Sequence, residues 1–331
     1  MALTPLRGLL PYRRVAFSMS NAIGDSLVCM VIVQNLIRNG IDVTVFGAPA
    51  HALRAWFPDA RILPLPHVSK IKETFAQFEA VFQMQPEQPL PTLTDMHDRV
   101  ITLHDVEYGN RQGSMAERFM HYCRDELGIS GATSHNGMTA LKGLVHRRHA
   151  NRVIIHPEAS TGDKRWLPAR FMKVASQLKA RGLEVVFILA PHERERWRDL
   201  RQQGIAAPRI HDLSELAGYV YESGWFIGND SGIGHLASNL GIPSVSVFRR
   251  RNVSEKWRPA WGNVEVVLPW QWVPSAFLKN KWWRHTLTCA RVLAGFDRIV
   301  RRQTLVVHRV EEVERHESRA SVAQLEVETL R

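Results

Sequence analysis

The sequence predicts an α/β fold made of two parallel-sheet units that face each other across a cleft. Three observations carry that prediction. At 331 residues the chain exceeds what one hydrophobic core usually organises, and 45% hydrophobic with 23% charged residues is an ordinary globular mix. Short apolar runs alternate with stretches of helical periodicity over two separate lengths of chain, the pattern of parallel strands joined by crossover helices. Between them lies Ile129 to Asn151, rich in Gly, Ser, His and Arg, which reads as a connection between units. The units are expected at 1–145 and 146–331.

Element by element, Arg14 to Met19 is a short apolar run and Ser20 to Gly24 a small-residue turn. From Asp25 a long apolar-periodic stretch runs to Asn39-Gly40, which reads as strand, loop, helix. Ile41 to Phe46 supplies the next strand, Gly47-Ala48-Pro49 closes it, and a short helix is expected around Ala50 to Trp56. Strands are expected at Arg61 to Leu63, Ala80 to Phe82 and Val100 to Leu103, and a helix over Ser114 to Leu127 that Gly128 ends. The second alternation begins with a strand at Arg152 to His156 and a helix from Ala169 to Ala180. A strand at Glu184 to Leu189 and helices over His192 to Gln202 and Leu213 to Val220 follow. A strand at Trp225 to Gly228, a helix from Gly232 to Leu240 and a strand at Ser244 to Phe248 complete it. Open parallel sheets bind ligands beyond the carboxyl ends of their strands, so the loops there are the places to search for chemistry.

The charge balance, 43 Lys+Arg against 32 Asp+Glu, gives a net charge of +11, which suits an anionic partner without specifying which. Three well-separated cysteines, Cys29, Cys123 and Cys289, show neither disulfide nor zinc spacing and fit a reducing compartment. The first twelve residues carry only short apolar pairs interrupted by Arg7 and two prolines, unlike a signal peptide, and no apolar run approaches the ~20 residues a bilayer span needs. A cytoplasmic protein is expected.

Three strand-to-helix loops contain residues fit for chemistry. In Ser20-Asn21-Ala22-Ile23-Gly24-Asp25, small residues let the backbone and a helix N-terminus approach a ligand, and Asp25 is either a helix cap or a carboxylate held at the cleft as a general base. One glycine there makes no G-x-G-x-x-G fingerprint, which disfavours a dinucleotide. His156 to Trp166 places the hydroxyls of Ser160 and Thr161 beside Lys164 and Arg165, a combination that suits phosphate oxygens. Gly228-Asn229-Asp230-Ser231-Gly232-Ile233-Gly234-His235 combines glycines with a helix N-terminus, whose N–H groups and dipole favour a diphosphate; the alternative is a plain turn capped by Asp230 or Ser231. Ala190-Pro191-His192-Glu193 offers a carboxylate for ribose hydroxyls, or simply an acidic first turn. Zinc-protease, nucleophile-elbow and P-loop patterns are absent, as is an Asp-x-Asp for a diphosphate-bound cation, so phosphate stabilisation without a metal is expected.

Taken in order, strand-A-I-G-D-helix, H-P-x-A-S-x-x-x-K-R-W, A-P-H-E and N-D-S-G-x-x-H-L-A-x-x-L-G-I-P resemble glycosyltransferase family 9, mostly ADP-heptose:lipopolysaccharide heptosyltransferases of GT-B fold, over residues 14 to 260. The resemblance implies two Rossmann-like domains, an N-terminal one for the acceptor and a C-terminal one for the nucleotide-sugar. It further implies that Asp25 is the catalytic base and Lys164 the phosphate-neutralising lysine. Glu193 would hold the ribose, Ser160 and Thr161 the donor phosphates, and Asp230, Ser231, Gly232 and His235 the diphosphate-binding turn and helix. The activity so implied is inverting transfer of heptose from ADP-heptose, a co-substrate rather than a cofactor, to an anionic lipopolysaccharide core at the inner face of the membrane. Two departures stand out: one extra residue between Lys164 and Pro168, and Arg249-Arg250-Arg251 where the family has a small, glycine-containing segment.

Other readings stay open. The enzyme could use another nucleotide-sugar donor or a protein acceptor, or be a GT-B-shaped epimerase. From a different class, the basic charge alone would suit a nucleic-acid-binding protein, although no nucleic-acid module is present and no nucleic-acid partner is expected. Trp270, Trp272, Phe277, Trp282 and Trp283, interleaved with Lys279, Lys281 and Arg284, either rest at a membrane interface or cover a core. The charged stretch from Val306 to Arg331 is helix-prone and could pack back on the first unit.

Overall fold

In the computed structural model, which describes residues 12–270 and 282–305, both expected sheets form, each with five parallel strands. The first contains β1 (Arg14–Ser18), β2 (Asp42–Phe46), β3 (Arg61–Leu63), β4 (Ala80–Gln83) and β5 (Val100–Thr102) in the order β3-β2-β1-β4-β5. The second contains β6 (His149–His156), β7 (Glu184–Phe187), β8 (Ser223–Asn229), β9 (Ser244–Val247) and β10 (Val264–Val267) in the order β10-β9-β8-β6-β7. The central strands are covered on both faces, which is why they read as continuous apolar runs rather than as an alternation. Strand order reverses beside β1 in one sheet and between β6 and β8 in the other. At such switch points adjacent loops diverge and leave a crevice, so the chain's two crevices open after β1 and after β6 and β8.

Helices Ile23–Arg38 and Gly232–Asn239 form the inner layer and pack against one another. Their apolar faces join one core that runs from Val15 and Phe17 through Val28 and Ile32 to Leu236 and Phe226. The outer face of the second sheet is closed by helix Pro168–Ala180 and by a helix over 289–305, whose Val292, Phe296 and Ile299 are buried there. Where the inner helices begin, the backbones meet closely. A Cβ on Gly232 would lie 2.8 Å from the Ile23 Cβ and 3.0 Å from the Gly24 nitrogen, so a glycine is needed to let the two helix starts approach.

The structure differs from expectation at four places. The first inner helix starts at Ile23 with Ala22 as its cap, so Asp25 sits inside the first turn and is not the capping residue. The expected helix over His192 to Gln202 is instead a 3₁₀ segment, Pro191–Gln203, interrupted at Trp197; its sequence buries only Trp197 and Leu200, too few apolar contacts to hold a regular α-helix. The stretch 129–148 is not a loose connection. Asn136 is fully buried, donating to the Leu27 carbonyl at 3.0 Å and to Asn239 at 3.2 Å, and Trp261 donates to the Ser134 carbonyl at 2.9 Å. Strand β10 and the helix over 289–305 were not anticipated. Of the aromatic cluster, Trp272, Phe277, Lys279 and Lys281 lie outside the described residues, as does Val306 to Arg331.

Candidate active site

The loops after β1, β6, β7 and β8 and the start of helix Leu213–Tyr221 surround a cavity of about 680 Å³ between the two sheets. Asp25, Ser160, Lys164, Glu193, Asp230, Ser231, Gly232 and His235 all line it, although they are scattered over more than two hundred residues of sequence. Thr161 does not. Its hydroxyl donates to Asp163 within the 3₁₀ turn Gly162–Lys164 that follows it.

Asp25 is fixed by Ser20, whose hydroxyl donates to it at 3.0 Å while receiving the Ala22 N–H at 3.1 Å. Burial raises the Asp25 pKa above the ordinary carboxylate value; the Ser20 hydrogen bond and the Lys164 charge pull it partly back down. Across the cleft the Lys164 ammonium lies 3.1 Å from Asp230, a nearly buried carboxylate. One of its three donors is thereby used, and the others remain for a ligand. Neither inner helix receives a side-chain cap at its start. Of the first-turn N–H groups, that of Gly234 returns to the Ser231 carbonyl at 3.0 Å, while the dipoles of both helices favour negative charge in the cavity.

Two histidines lining the site are buried. His156 stands 3.2 Å from the Ser231 hydroxyl, and burial lowers its pKa to about 4; that of His235 is also lowered to about 4 by burial, and its Nδ1 has no hydrogen-bond partner. Both are neutral near pH 7, so the positive charge in the cavity comes from Lys164 and Arg165 and from the helix starts. The far end is apolar, walled by Ile188, Leu189, Ile210, Leu213 and Leu216, and Glu193 stands at its edge. One Glu193 oxygen accepts the Ala190 N–H at 2.7 Å, so the acidic-first-turn role is realised, and the other lies 3.8 Å from the His192 Nε2. The apolar wall and His156 were missed from sequence. His156 ends a strand of the quoted loop motif, which was the available signal, whereas nothing in the spacing of the wall residues singles them out.

The loop that presents Lys164 is clamped from behind. Arg165 pairs at 2.9 Å with Glu158, which is buried and also receives the Trp197 indole N–H at 2.8 Å. Arg249, one of the unexpected arginines, pairs with Asp163, and the buried Trp283 donates to the Asp163 carbonyl at 3.2 Å. Trp283 is thus a support for the loop, while Trp270 and Trp282 are about half exposed. Among the described residues no group of three or more His, Cys, Asp or Glu is placed to hold a metal ion, and no helix is long and apolar enough to cross a membrane.

The close approach at Gly232 gives a test of this geometry. Gly232→Ala is expected to destabilise the fold by about 1–3 kcal/mol, since the added methyl meets backbone that cannot yield. Gly162→Ala, with nothing within 4 Å of the new methyl, is expected to stay within about 0.5 kcal/mol of the parent in the same urea titration.

Comparison with known proteins agrees with this geometry. Residues 110–277, about half of the chain, match the family model described as glycosyltransferase family 9 (heptosyltransferase). The chain is 28% identical over 163 residues to lipopolysaccharide heptosyltransferase 3 of Escherichia coli, a match covering 45% of this chain and 47% of that protein, about half the length of each. In structure it resembles the E. coli ADP-heptose lps heptosyltransferase II, with a TM-score of 0.66 and 14% identity over 88% of this chain and 99% of that one. It also resembles E. coli heptosyltransferase WaaC, solved with ADP, with a TM-score of 0.63 and 16% identity over 86% and 99% of the two chains. The shared architecture is the GT-B fold, two parallel-sheet units about a cleft.

Proposed function

Since the chain belongs to glycosyltransferase family 9, the heptosyltransferase family, we propose that it is an inverting transferase that moves heptose from ADP-heptose to a lipopolysaccharide core sugar. The observation that carries the proposal is the convergence of Asp25, Lys164 and two uncapped helix starts on one cavity. The first unit, 1–145, would hold the acceptor and the second, 146–331, the donor.

In this reading the adenosine lies along the apolar wall and its ribose hydroxyls reach the Glu193 carboxylate. The diphosphate lies between Ser160, Lys164, Ser231 and the start of helix Gly232–Asn239, with neutral His235 beneath it. Asp25 takes the proton from the acceptor hydroxyl. That oxygen attacks the anomeric carbon from the face opposite the diphosphate, the carbon–oxygen bond to the diphosphate breaks, and ADP departs with the bonding pair. The charge that develops on the leaving oxygen is met by Lys164 and by backbone N–H groups already in place, donors worth typically ~3–4 kcal/mol each in a barrier. These cations and dipoles meet that charge without a divalent ion, so transfer is expected to persist in a chelator. The net positive charge of +11 suits an acceptor that carries anionic groups, on the cytoplasmic side of a membrane.

The donor base is tested by melting the protein with ADP, UDP, GDP or CMP. A nucleotide at ~100 times its dissociation constant stabilises by about 2.7 kcal/mol, so ADP is expected to raise Tm by several degrees and the others by much less. A preference for UDP would keep the glycosyltransferase and overturn the donor. No response to any of the four would sink the donor site as placed.

A further inference from the structure

Of the three consecutive arginines after β9, Arg249 pairs with Asp163 beside the donor cavity, whereas Arg251 lines a second cavity of about 370 Å³ at the carboxyl ends of β9 and β10. The two cavities share no lining residue. Arg291 and Arg298 join Arg251 in the second cavity from the helix over 289–305. Their spacing puts them on one helix face with Ala294 between, and that small side chain leaves room in the middle. The helix is held close to the sheet at Gly295, where an added Cβ would lie 2.8 Å from the Val267 Cγ2, so both arginines are carried against the end of β10. The segment from Val266 to Pro269 supplies an apolar floor.

Positive charge around this cavity exceeds what the protein balances. Among the described residues the one carboxylate paired with any of the three arginines is Glu265, 2.8 Å from the Arg298 Nε, and Arg302 shares it at 2.8 Å. Arg251 has no acidic partner among them, and Arg291 stands over the Trp270 ring with its guanidinium carbon 5.1 Å from the centroid. A guanidinium against a ring keeps its in-plane N–H donors for an anion. Like charges gathered around one hollow repel each other until an anion fills it. A phosphate monoester, with three terminal oxygens and a charge of about −2, can accept from several guanidiniums at once, more than a carboxylate can. The apolar floor and Trp270, 51% exposed beside Arg291, suit the carbon atoms of the ester, and the cavity volume suits a small one.

We propose that Arg251, Arg291 and Arg298 form a binding site for a phosphate monoester on the second unit, separate from the donor cavity. The site stands whether or not the cleft binds ADP, since no residue is shared. A soluble ester and a lipid headgroup that ends in a phosphate present the same chemistry to it.

The test is isothermal titration calorimetry on the full chain with glycerol 3-phosphate, glycerol and acetate. Glycerol 3-phosphate is expected to bind saturably, acetate at least about tenfold more weakly and glycerol not at all. Arg251→Ala and Arg291→Ala are each expected to weaken glycerol 3-phosphate about tenfold or more with Tm unchanged, since each removes charged donors from the anion and neither breaks an ion pair among the described residues. Lys164→Met, in the donor cavity, and Lys72→Ala, an exposed cation on the first unit, are expected to leave the affinity within about twofold. Binding unaltered in Arg251→Ala and Arg291→Ala would overturn the site, and so would an equal loss in Lys72→Ala or Lys164→Met. Sedimentation with phosphatidylcholine vesicles, with and without phosphatidic acid, separates the sources. Retention that needs phosphatidic acid and is lost in Arg291→Ala assigns the ester to a lipid, whereas glycerol 3-phosphate binding without retention assigns it to a soluble molecule. Failure to bind either probe would overturn the site.

Discussion

Replacing Asp25 by Asn is expected to lower transfer by about 10²- to 10⁴-fold while leaving ADP affinity within about twofold, because a positioned base contributes about that much and acts on the acceptor. The substitution keeps the size of the side chain and its hydrogen bond from Ser20, so the cavity should not collapse. Two further consequences follow from the raised Asp25 pKa. As a base Asp25 must be ionised, so kcat/KM should fall as pH drops through a value above the ordinary carboxylate range, and that limb should vanish in the variant. The effect on stability runs the other way. A carboxyl whose pKa is higher folded than unfolded binds its proton more tightly in the native state. Its ionisation therefore costs nothing below the unfolded pKa, and the cost grows as pH rises from there to the folded pKa, then stays. Asp25→Asn removes that cost at neutral pH, so the inactive variant should melt no lower than the parent and by this term higher. Equal activity of the two proteins at saturating substrates would show that Asp25 is not the base.

That coupling of lost activity to retained stability marks the residues which sequence could and could not reveal. Asp25, Lys164 and Asp230 were legible because each follows a strand of clear apolar character, and parallel strands deliver their carboxyl-terminal loops to one edge of the sheet. Their mutual approach was legible only as far as two sheets imply a cleft. Thr161 reads in sequence as part of a phosphate-type loop, and nothing in that pattern tells that its hydroxyl donates to Asp163. Glu158 and Arg165 read as loop polarity, whereas Glu158 is a buried carboxylate that pairs with Arg165 and also needs Trp197, from a segment after the next strand. Arg249 looked like a departure from the family and is accounted for by Asp163 across the loop. The helix over 289–305 does carry its signal, with Cys289, Val292, Leu293, Phe296 and Ile299 on one stripe. Strand β10 carries almost none. It is a four-residue edge strand, half-exposed over most of its length, and only its pairing with β9 distinguishes it from a loop.

Lys164→Met is expected to lower kcat by about 10²- to 10³-fold and to weaken ADP as well, because it removes a donor aimed at the charge that grows on the leaving diphosphate. The two effects should differ in size. ADP already carries its negative charge, so the lysine stabilises bound nucleotide and transition state alike to that extent, and only the additional charge formed as the glycosidic bond breaks appears in kcat. A variant with raised donor KM and unchanged kcat would mean that Lys164 serves binding alone. Asp230 sharpens the distinction. With Lys164 gone this carboxylate, 9% exposed, keeps its burial but loses the partner 3.1 Å away. The unliganded variant should therefore melt below the parent. Lys164→Met/Asp230→Asn removes the stranded charge and should recover melting temperature without recovering kcat. Recovery of both would place the lysine's role in holding Asp230, with the helix starts alone left to meet the diphosphate.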